Sequence, residues 1–297
     1  MNKLMYSKRS ILVFVLPTLL IYCLIVLLPI LVTSYYGLFQ YNGMGTMKFI
    51  GLDNFIKLLS EDVVFKKAIM NSLILAGSSL FIQLPISLIF ALILARGVKF
   101  ESFFKTVYFI PVVISSMVIG QLWMKIFNGD HGMLNELLKS AGLERYALDW
   151  LANEKTAFMA TVIPGVLQYI GYHMIIMYAG IKSIPEELYE AAKIDGASDL
   201  QASFKITIPL LMPILRVCIT FALIGSLKAF DLVYIMTNGG PFHSSEVPST
   251  VMYANLFAKN AYGYGSAQAV FIIIECLVMS LIVQAMFKKS EDLASVI

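Results

Sequence analysis

Lys228 and Asp231 stand three positions apart inside an apolar run near 211–236. On a helix that spacing places two side chains on one face and within reach of pairing, and Gly225 and Ala229 fall on the same stripe. Charge inside a bilayer is costly, so residues kept there mark a route for a solute or ion by default. A second gathering, "GVLQYIGYHM", brings Gln168, Tyr169, Gly171, Tyr172, His173 and Met174 together in an earlier apolar run. Aromatic faces stack on CH-rich surfaces and amides reach hydroxyls, so these residues are candidates for contact with a solute. The plainer readings are a structural ion pair between helices for Lys228 and Asp231, and a satisfied core imidazole for His173. Gln83, Gln121 and Glu275 read as polar contacts between helices rather than solute ligands.

Other chemistries lack their residues. The three cysteines, Cys23, Cys218 and Cys276, lie far apart within apolar runs, which excludes a CxxC redox or metal site and a disulfide framework. His131, His173 and His243 show no ligand spacing. No GxSxG or HExxH occurs, and the absence of GxxxxGK[ST] removes a phosphate-cradling loop. The net charge of +3 is small and dispersed, with no basic block suited to nucleic acid.

The elements that must position the candidate residues follow from composition. The 297 residues are 59% hydrophobic and 14% charged, with a mean hydropathy of +0.79. That is an integral membrane protein. A crossing takes about 20 helical residues. Six segments have the length: near 11–32, 69–95, 106–127, 157–181, 211–236 and 268–287. The first follows Lys8 and Arg9 but is long, with no small-residue cleavage pattern after it, so it reads as a retained anchor. The connections at 1–10, 96–105, 182–210 and 288–297 hold eleven Lys and Arg in 59 residues, against eight in 96 residues for the alternate set. Both termini and the 182–210 connection are therefore expected in the cytoplasm. No soluble domain is apparent at either end, so the expectation is a single transmembrane domain over 1–297. "FKKAIMNSL" and "HGMLNELLKSAGL" in the outer connections have helical spacing, with Gly142 a stop for the latter.

The 183–210 connection is a polar island of two short helices. Ser183 and Glu186 have capping-box spacing, Pro185 sits in the first turn, and Glu186, Glu187 and Glu190 favour the N-terminal half. Gly196 supplies a residue tolerant of positive φ, and Ser198 with Gln201 starts the second helix, which Pro209 and Pro213 close. The surface is small and alanine-rich, and its five acids outnumber its bases, so an anionic leaflet would repel it. Docking into a groove on a soluble partner fits better than an interfacial helix.

"EAAKIDGASDLQASFKITIPLLMP" resembles the signature loop of binding-protein-dependent ABC importer permeases. Glu190, Ala191, Ala192, Asp195, Gly196, Ala197, Phe204, Ile206, Pro209 and Pro213 fall in register, and Ile208 stands where the family commonly has Leu. "FDLVYIMTNGGP", "GLDNF" at 51–55 and "NSL" at 71–73 resemble the carbohydrate-uptake, maltose-transporter MalF-type group, without that prototype's extra crossings and large outer insertion. The resemblance covers nearly the whole chain. It implies an all-α permease of the type I importer class, with six crossings and a cytoplasmic coupling loop between the fourth and fifth. The loop docks on an ATPase subunit: the Glu190 equivalent pairs with a basic residue there, and the Gly196 equivalent permits the tight turn.

It further implies a second, non-identical permease, two ATP-binding subunits, an extracytoplasmic solute-binding protein that meets the "NGGPFHSSEVPST" side, and a carbohydrate substrate. The setting is a bacterial or archaeal cytoplasmic membrane. ATP and Mg belong to the partners, and the chain binds no cofactor or metal and is not an enzyme. A polyol or a glycerol phosphate or phosphodiester is the alternative cargo. Two other classes compete. An integral membrane enzyme lacks a catalytic constellation, and a secondary transporter using Lys228 and Asp231 calls for inverted repeats that the sequence does not display.

Overall fold

The computed structural model describes residues 8–294, with side chains over 12–287. In chain order its helices are α1 (Leu12–Tyr36), α2 (Asp53–Ser60), α3 (Val63–Ala95), α4 (Glu101–Val113), α5 (Ser116–Ile126), α6 (Met133–Ser140), α7 (Ala157–Lys182), α8 (Glu186–Ile194), α9 (Asp199–Ala202), α10 (Met212–Leu227), α11 (Asp231–Met236), α12 (Pro248–Tyr253) and α13 (Tyr262–Ala294). A hydrocarbon core offers no partner for an exposed peptide group, so apolar runs of this length close their hydrogen bonds within themselves. Among the described residues five helical stretches are long and apolar enough to cross a membrane: α1, α3, α7, α10 with α11, and α13 up to Phe287. Counting α4 with α5 makes six.

The third of the expected crossings, near 106–127, is not one straight helix. α4 and α5 meet at 95° across a break at Ile114–Ser115. Ile114 is extended, and the Ser115 hydroxyl caps the new helix by accepting from the Met117 N–H at 3.2 Å. The fifth crossing is also interrupted: α10 ends at Leu227, and Phe230, at φ −142° and ψ −59°, separates it from α11.

The chain divides into two compact units. The first takes the described part of Met1–Asp62 together with Met252–Ile273. In it α1 leaves its apolar surface uncovered, with 0% of its most apolar window buried. A short antiparallel ladder, β1 (Phe39–Gln40) with β2 (Lys48–Phe49), pairs Phe39 with Phe49. Asn54 of α2, a residue of "GLDNF", donates to the carbonyls of Gly37 and Phe39 at 2.9 and 3.0 Å and so holds the turn that leaves α1. Tyr264 of α13 donates to Asp62 at 2.6 Å, and Asn255 donates to buried Gln268 at 3.0 Å.

The second unit takes Val63–Val251 and Ile274–Ile297. Its core is built on α7. Met174, Met177 and Ile181 pack with Leu84, Ala91 and Leu94 of α3 and with Leu211, Cys218 and Ala222. Higher on α7, Phe158, Val162 and Val166 meet Leu75, Val233 and Val247. Two small residues let backbones close in. A Cβ on Gly171 would collide with the Tyr108 carbonyl of α4, and one on Gly180 would collide with Ile214. Hydroxyls tie α3 to its neighbours: Ser87 donates to Ile170 O at 2.9 Å, and Ser79 and Ser226 lie 2.9 Å apart. α6 forms as its spacing suggests, and Gly142 at φ 73° follows its end.

Prolines set three of the π-helical turns among the described residues, and the fourth, Ala254–Ala258, has no proline after it. π-helical turns at Cys23–Leu27, Ser79–Gln83 and Ser203–Thr207 each precede Pro29, Pro85 or Pro209 by one or two residues. In each case the residue before the proline donates to the carbonyl five positions back. Proline lacks an N–H and its ring crowds the carbonyl four back, so the wider turn relieves the clash without leaving the helix.

Gly171→Ala should force α7 and α4 apart and cost about 1–3 kcal/mol of overpacking, read as a lower melting temperature of the purified chain in detergent. Gly225→Ala, where a Cβ meets nothing within 4 Å, should leave that temperature unchanged or raised.

Candidate functional site

The polar hairpin is built by local rules. α8 opens after Pro185 with Glu186 and Glu187 in its first turn and closes with Lys193 in its last, both favourable to the helix dipole. Its end is a Schellman motif: Ala197 N–H donates to Ala192 O at 2.9 Å and Gly196 N–H to Lys193 O at 3.1 Å, with Gly196 at φ 79°. Ser198 and Gln201 form the expected capping box at the start of α9, at 2.8 and 3.3 Å. The Ser183–Glu186 box does not form. Ser183 ends α7 instead, its hydroxyl donating to Gly180 O at 2.7 Å, because Pro185 takes the N-cap position. Tyr189 of α8 reaches buried Thr207 at 3.0 Å and closes the hairpin on itself.

Glu190, Ala191, Asp195 and Gly196 are exposed, Ala192 and Ala197 half-buried, and Ile194 projects with 87% exposure. The result is a stiff element with an acidic flank and an apolar tip, joined to α7 on one side and helically continuous toward α10 on the other. Such an element can fill a groove and pass on a displacement.

The residues in the apolar runs separate into two groups. Tyr169, Gly225, Lys228 and Asp231 are exposed and Tyr172 half-buried. Gln168 and Gly171 are buried, Met174 is fully enclosed in the core, and Ala229 packs on the cluster around Val233. Lys228 and Asp231 flank the α10–α11 break, and among the described residues no ion pair joins them. The helical spacing expected to pair them is lost because α10 stops at Leu227. Each instead sits at the helix end its charge favours, Lys228 beside the C-terminal carbonyls of α10 and Asp231 in the first turn of α11.

Tyr169 lies within electrostatic reach of Asp231, and Phe230 stacks on Tyr234 at 4.9 Å. The Oε1 of Gln168 is buried without a hydrogen-bond partner among the described residues, as is Nδ1 of His173. Gln83 is buried and takes a hydrogen bond from Ser79, and Gln121 is exposed.

The segment "NGGPFHSSEVPST" is ordered by its own polar groups. Asn238, Gly239, Phe242 and His243 have positive φ. Ser245 donates to Gly240 O at 2.6 Å and meets Thr237 at 2.7 Å. Glu246, 6% exposed, binds His243 Nδ1 at 2.9 Å and accepts from Thr250, and Gly239 passes so close that any Cβ would strike its carboxylate. Asn71 of α3 donates to Ser244 O at 2.9 Å and Glu246 O at 2.8 Å. Two stretches separately noted in the sequence, "NSL" and "NGGP", thus meet in one device that neither spacing nor periodicity reveals. Phe242 stands on it with 86% exposure.

Comparison with known proteins bears on this geometry. Residues 83–291 match the family described as "Binding-protein-dependent transport system inner membrane component". The chain is similar to "Probable ABC transporter permease protein YurN" of Bacillus subtilis, 37% identical over 282 residues, which cover 94% of this chain and 96% of that one. It is also similar to the diacetylchitobiose uptake system permease protein NgcF of Streptomyces coelicolor, 30% identical over 89% of this chain and 78% of the relative. Its fold is shared with a chain from the crystal structure of a bacterial alginate ABC transporter in complex with alginate pentasaccharide-bound periplasmic protein: TM-score 0.82, 24% identity, 95% and 96% of the two chains covered.

Asn71→Ala removes the donor to two buried carbonyls, and each unmade bond costs about 1–3 kcal/mol. Limited proteolysis should then cut within 238–246 in Asn71→Ala under conditions that leave the wild-type segment intact.

Proposed function

Because the chain belongs to the family of binding-protein-dependent transport system inner membrane components, we propose that it is the permease subunit of an ATP-driven importer. In this reading it moves a sugar or oligosaccharide across a bacterial or archaeal cytoplasmic membrane by alternating access, and it is one of two non-identical permease chains. The observation that carries this is the hairpin of α8 and α9: capped at both turns, exposed along Glu190–Gly196 except at half-buried Ala192, and rooted in two spans. The chain has no phosphate-cradling motif, so two ATP-binding subunits supply hydrolysis, with ATP and Mg bound there. The denser Lys and Arg in the hairpin's set of connections support a cytoplasmic location for the termini and the hairpin.

Closure of the ATPases drives the hairpin with it. A flexible loop would absorb the displacement, whereas the Schellman turn and capping box pass it to α7 and α10. The cavity then opens outward, where an extracytoplasmic solute-binding protein delivers its cargo. Along the route Tyr169, Tyr172 and Asp231 offer stacking and hydrogen bonds, Lys228 a donor, and Gly225 clearance. Gln168 holds a carbonyl that is buried and has no partner among the described residues. Gly171, Met174 and Ala229 serve by packing, which keeps those side chains in place. Relatives named for diacetylchitobiose and starch degradation products support a carbohydrate over a polyol or glycerol phosphate.

The test is to reconstitute the chain with and without its partners. ATP hydrolysis stimulated by one of a panel of radiolabelled oligosaccharides, in the full complex and never with the chain alone, is expected. Glu190→Ala should weaken ATPase binding to the permease by about tenfold, the worth of one charge-assisted contact. Gly196→Pro should leave the chain inserted while lowering accumulation per ATP hydrolysed. Full accumulation in both variants would remove the hairpin from the mechanism.

A further inference from the structure

The hairpin is covalently joined to α7 and, through 203–211, to α10, and the segment linking α3 to α4 touches its outgoing limb at one end and α7, which leads into it, at the other. Arg96 is the residue that ends α3. Its guanidinium approaches Asp199 Oδ2 at 3.4 Å, Asp199 O at 3.5 Å and Ser203 Oγ at 3.3 Å. Asp199 begins α9 and Ser203 begins the π turn that leads to α10, so one fork spans a full turn of the hairpin's outgoing limb. Ser203 is itself buried and donates to Asp199 O at 2.8 Å, which fixes the acceptors relative to one another.

On the incoming limb, Tyr178 of α7 donates to Glu101 of α4. Lys105 bonds Glu101 at 2.9 Å and lies 4.5 Å from the Tyr178 ring centroid. Between the two grips Gly97, at φ 78°, and Phe100, at φ 65°, make the turn tight.

We infer that Arg96 is a positioning residue: it clamps the end of α3 to the hairpin's outgoing limb, so that the 96–105 connection, held on the other side by Glu101, Lys105 and Tyr178, moves with the hairpin as one body. The inference rests on the coupling role proposed above. An exposed ion pair contributes little to stability, and Asp199 is 85% exposed. The consequence of the arrangement is directional. A push on α8 and α9 reaches α3 and α4 as well as α7 and α10, so four helical segments shift together. Without the clamp, α3 and α4 would follow only through their contacts with α7 and α10, the Ser87–Ile170, Ser79–Ser226 and Tyr178–Glu101 hydrogen bonds among them.

The experiment uses the assembled importer in nanodiscs, the chain's three cysteines replaced by serine, with ATP and orthovanadate as the only added ligands. Spin labels at Lys99 and Leu200, an exposed residue of α9, report the clamp, and labels at Leu200 and Met286 report movement of the hairpin. In the wild type the Leu200–Met286 distance should change with ATP and vanadate while the Lys99–Leu200 distance stays fixed. In Arg96→Asp the Lys99–Leu200 distance should match the wild type without nucleotide and shift by several ångströms with it. The double reversal Arg96→Asp with Asp199→Arg should return it to the fixed value.

A merely local structural role moves the distance equally with and without nucleotide and overturns the inference, as does a shift in the wild type, an unshifted Arg96→Asp or failure of the double reversal. If Leu200–Met286 does not respond in the wild type, the coupling reading falls, and the clamp with it. If it responds while the clamp pair fails, only the clamp is lost.

Discussion

The close approach of α7 to its neighbours is the constraint on which the second unit depends. Where lipid is as apolar as the side chains, burying methyl groups gives little preference for a helix partner, and association rests on contact distance and hydrogen bonds. α7 meets α4 at Gly171, where the missing side chain leaves room for a backbone carbonyl, and meets Ile214 at Gly180. The Ser87 hydroxyl adds a hydrogen bond to the α7 backbone at Ile170. These contacts fix the face that α7 turns inward, and with it the placement of Gln168 inside and Tyr169 outside.

The breaks follow a different logic. A helix interrupted within an apolar run exposes peptide groups that water cannot reach, so it persists only where other groups satisfy them. At Ile114–Ser115 a serine hydroxyl does so. At Lys228–Phe230 the chain turns between a cation at one helix end and an acid at the next. The outer halves then lock together, because α5 presents Gly120 where Ile235 and Met236 of α11 press in. The π turns before Pro29, Pro85 and Pro209 are the milder form of the same accommodation, keeping the backbone bonded while a proline passes.

Much of this was legible in the residues. Apolar length gave the spans, and the types and spacing at 190–201 gave the hairpin with its Gly196 turn and Ser198 cap, since those are local interactions that a sequence states directly. What stayed hidden depended on contacts across the chain. The α4–α5 bend was invisible because the run through 106–127 is predominantly apolar and Ser115 with Ser116 reads as a polar pair within a span. The Ser183 box failed because Pro185, read as a first-turn residue, took the cap position instead. Lys228 and Asp231 were assigned a shared face on the assumption of an unbroken helix, and no local signal marks Phe230 as the residue that leaves it. Asn71 and Arg96, whose partners lie more than a hundred positions away, carry no pattern of their own.

The segment that follows α11 has one more consequence. Its backbone is pinned by Asn71, Ser245 and Glu246, so its shape is settled before anything touches it. A surface of that kind gives up little conformational freedom on association, and the entropic toll of docking falls mainly on side chains such as Phe242. A partner docking there would meet a rigid template, and its selection would rest on the form of that template more than on the strength of any single contact.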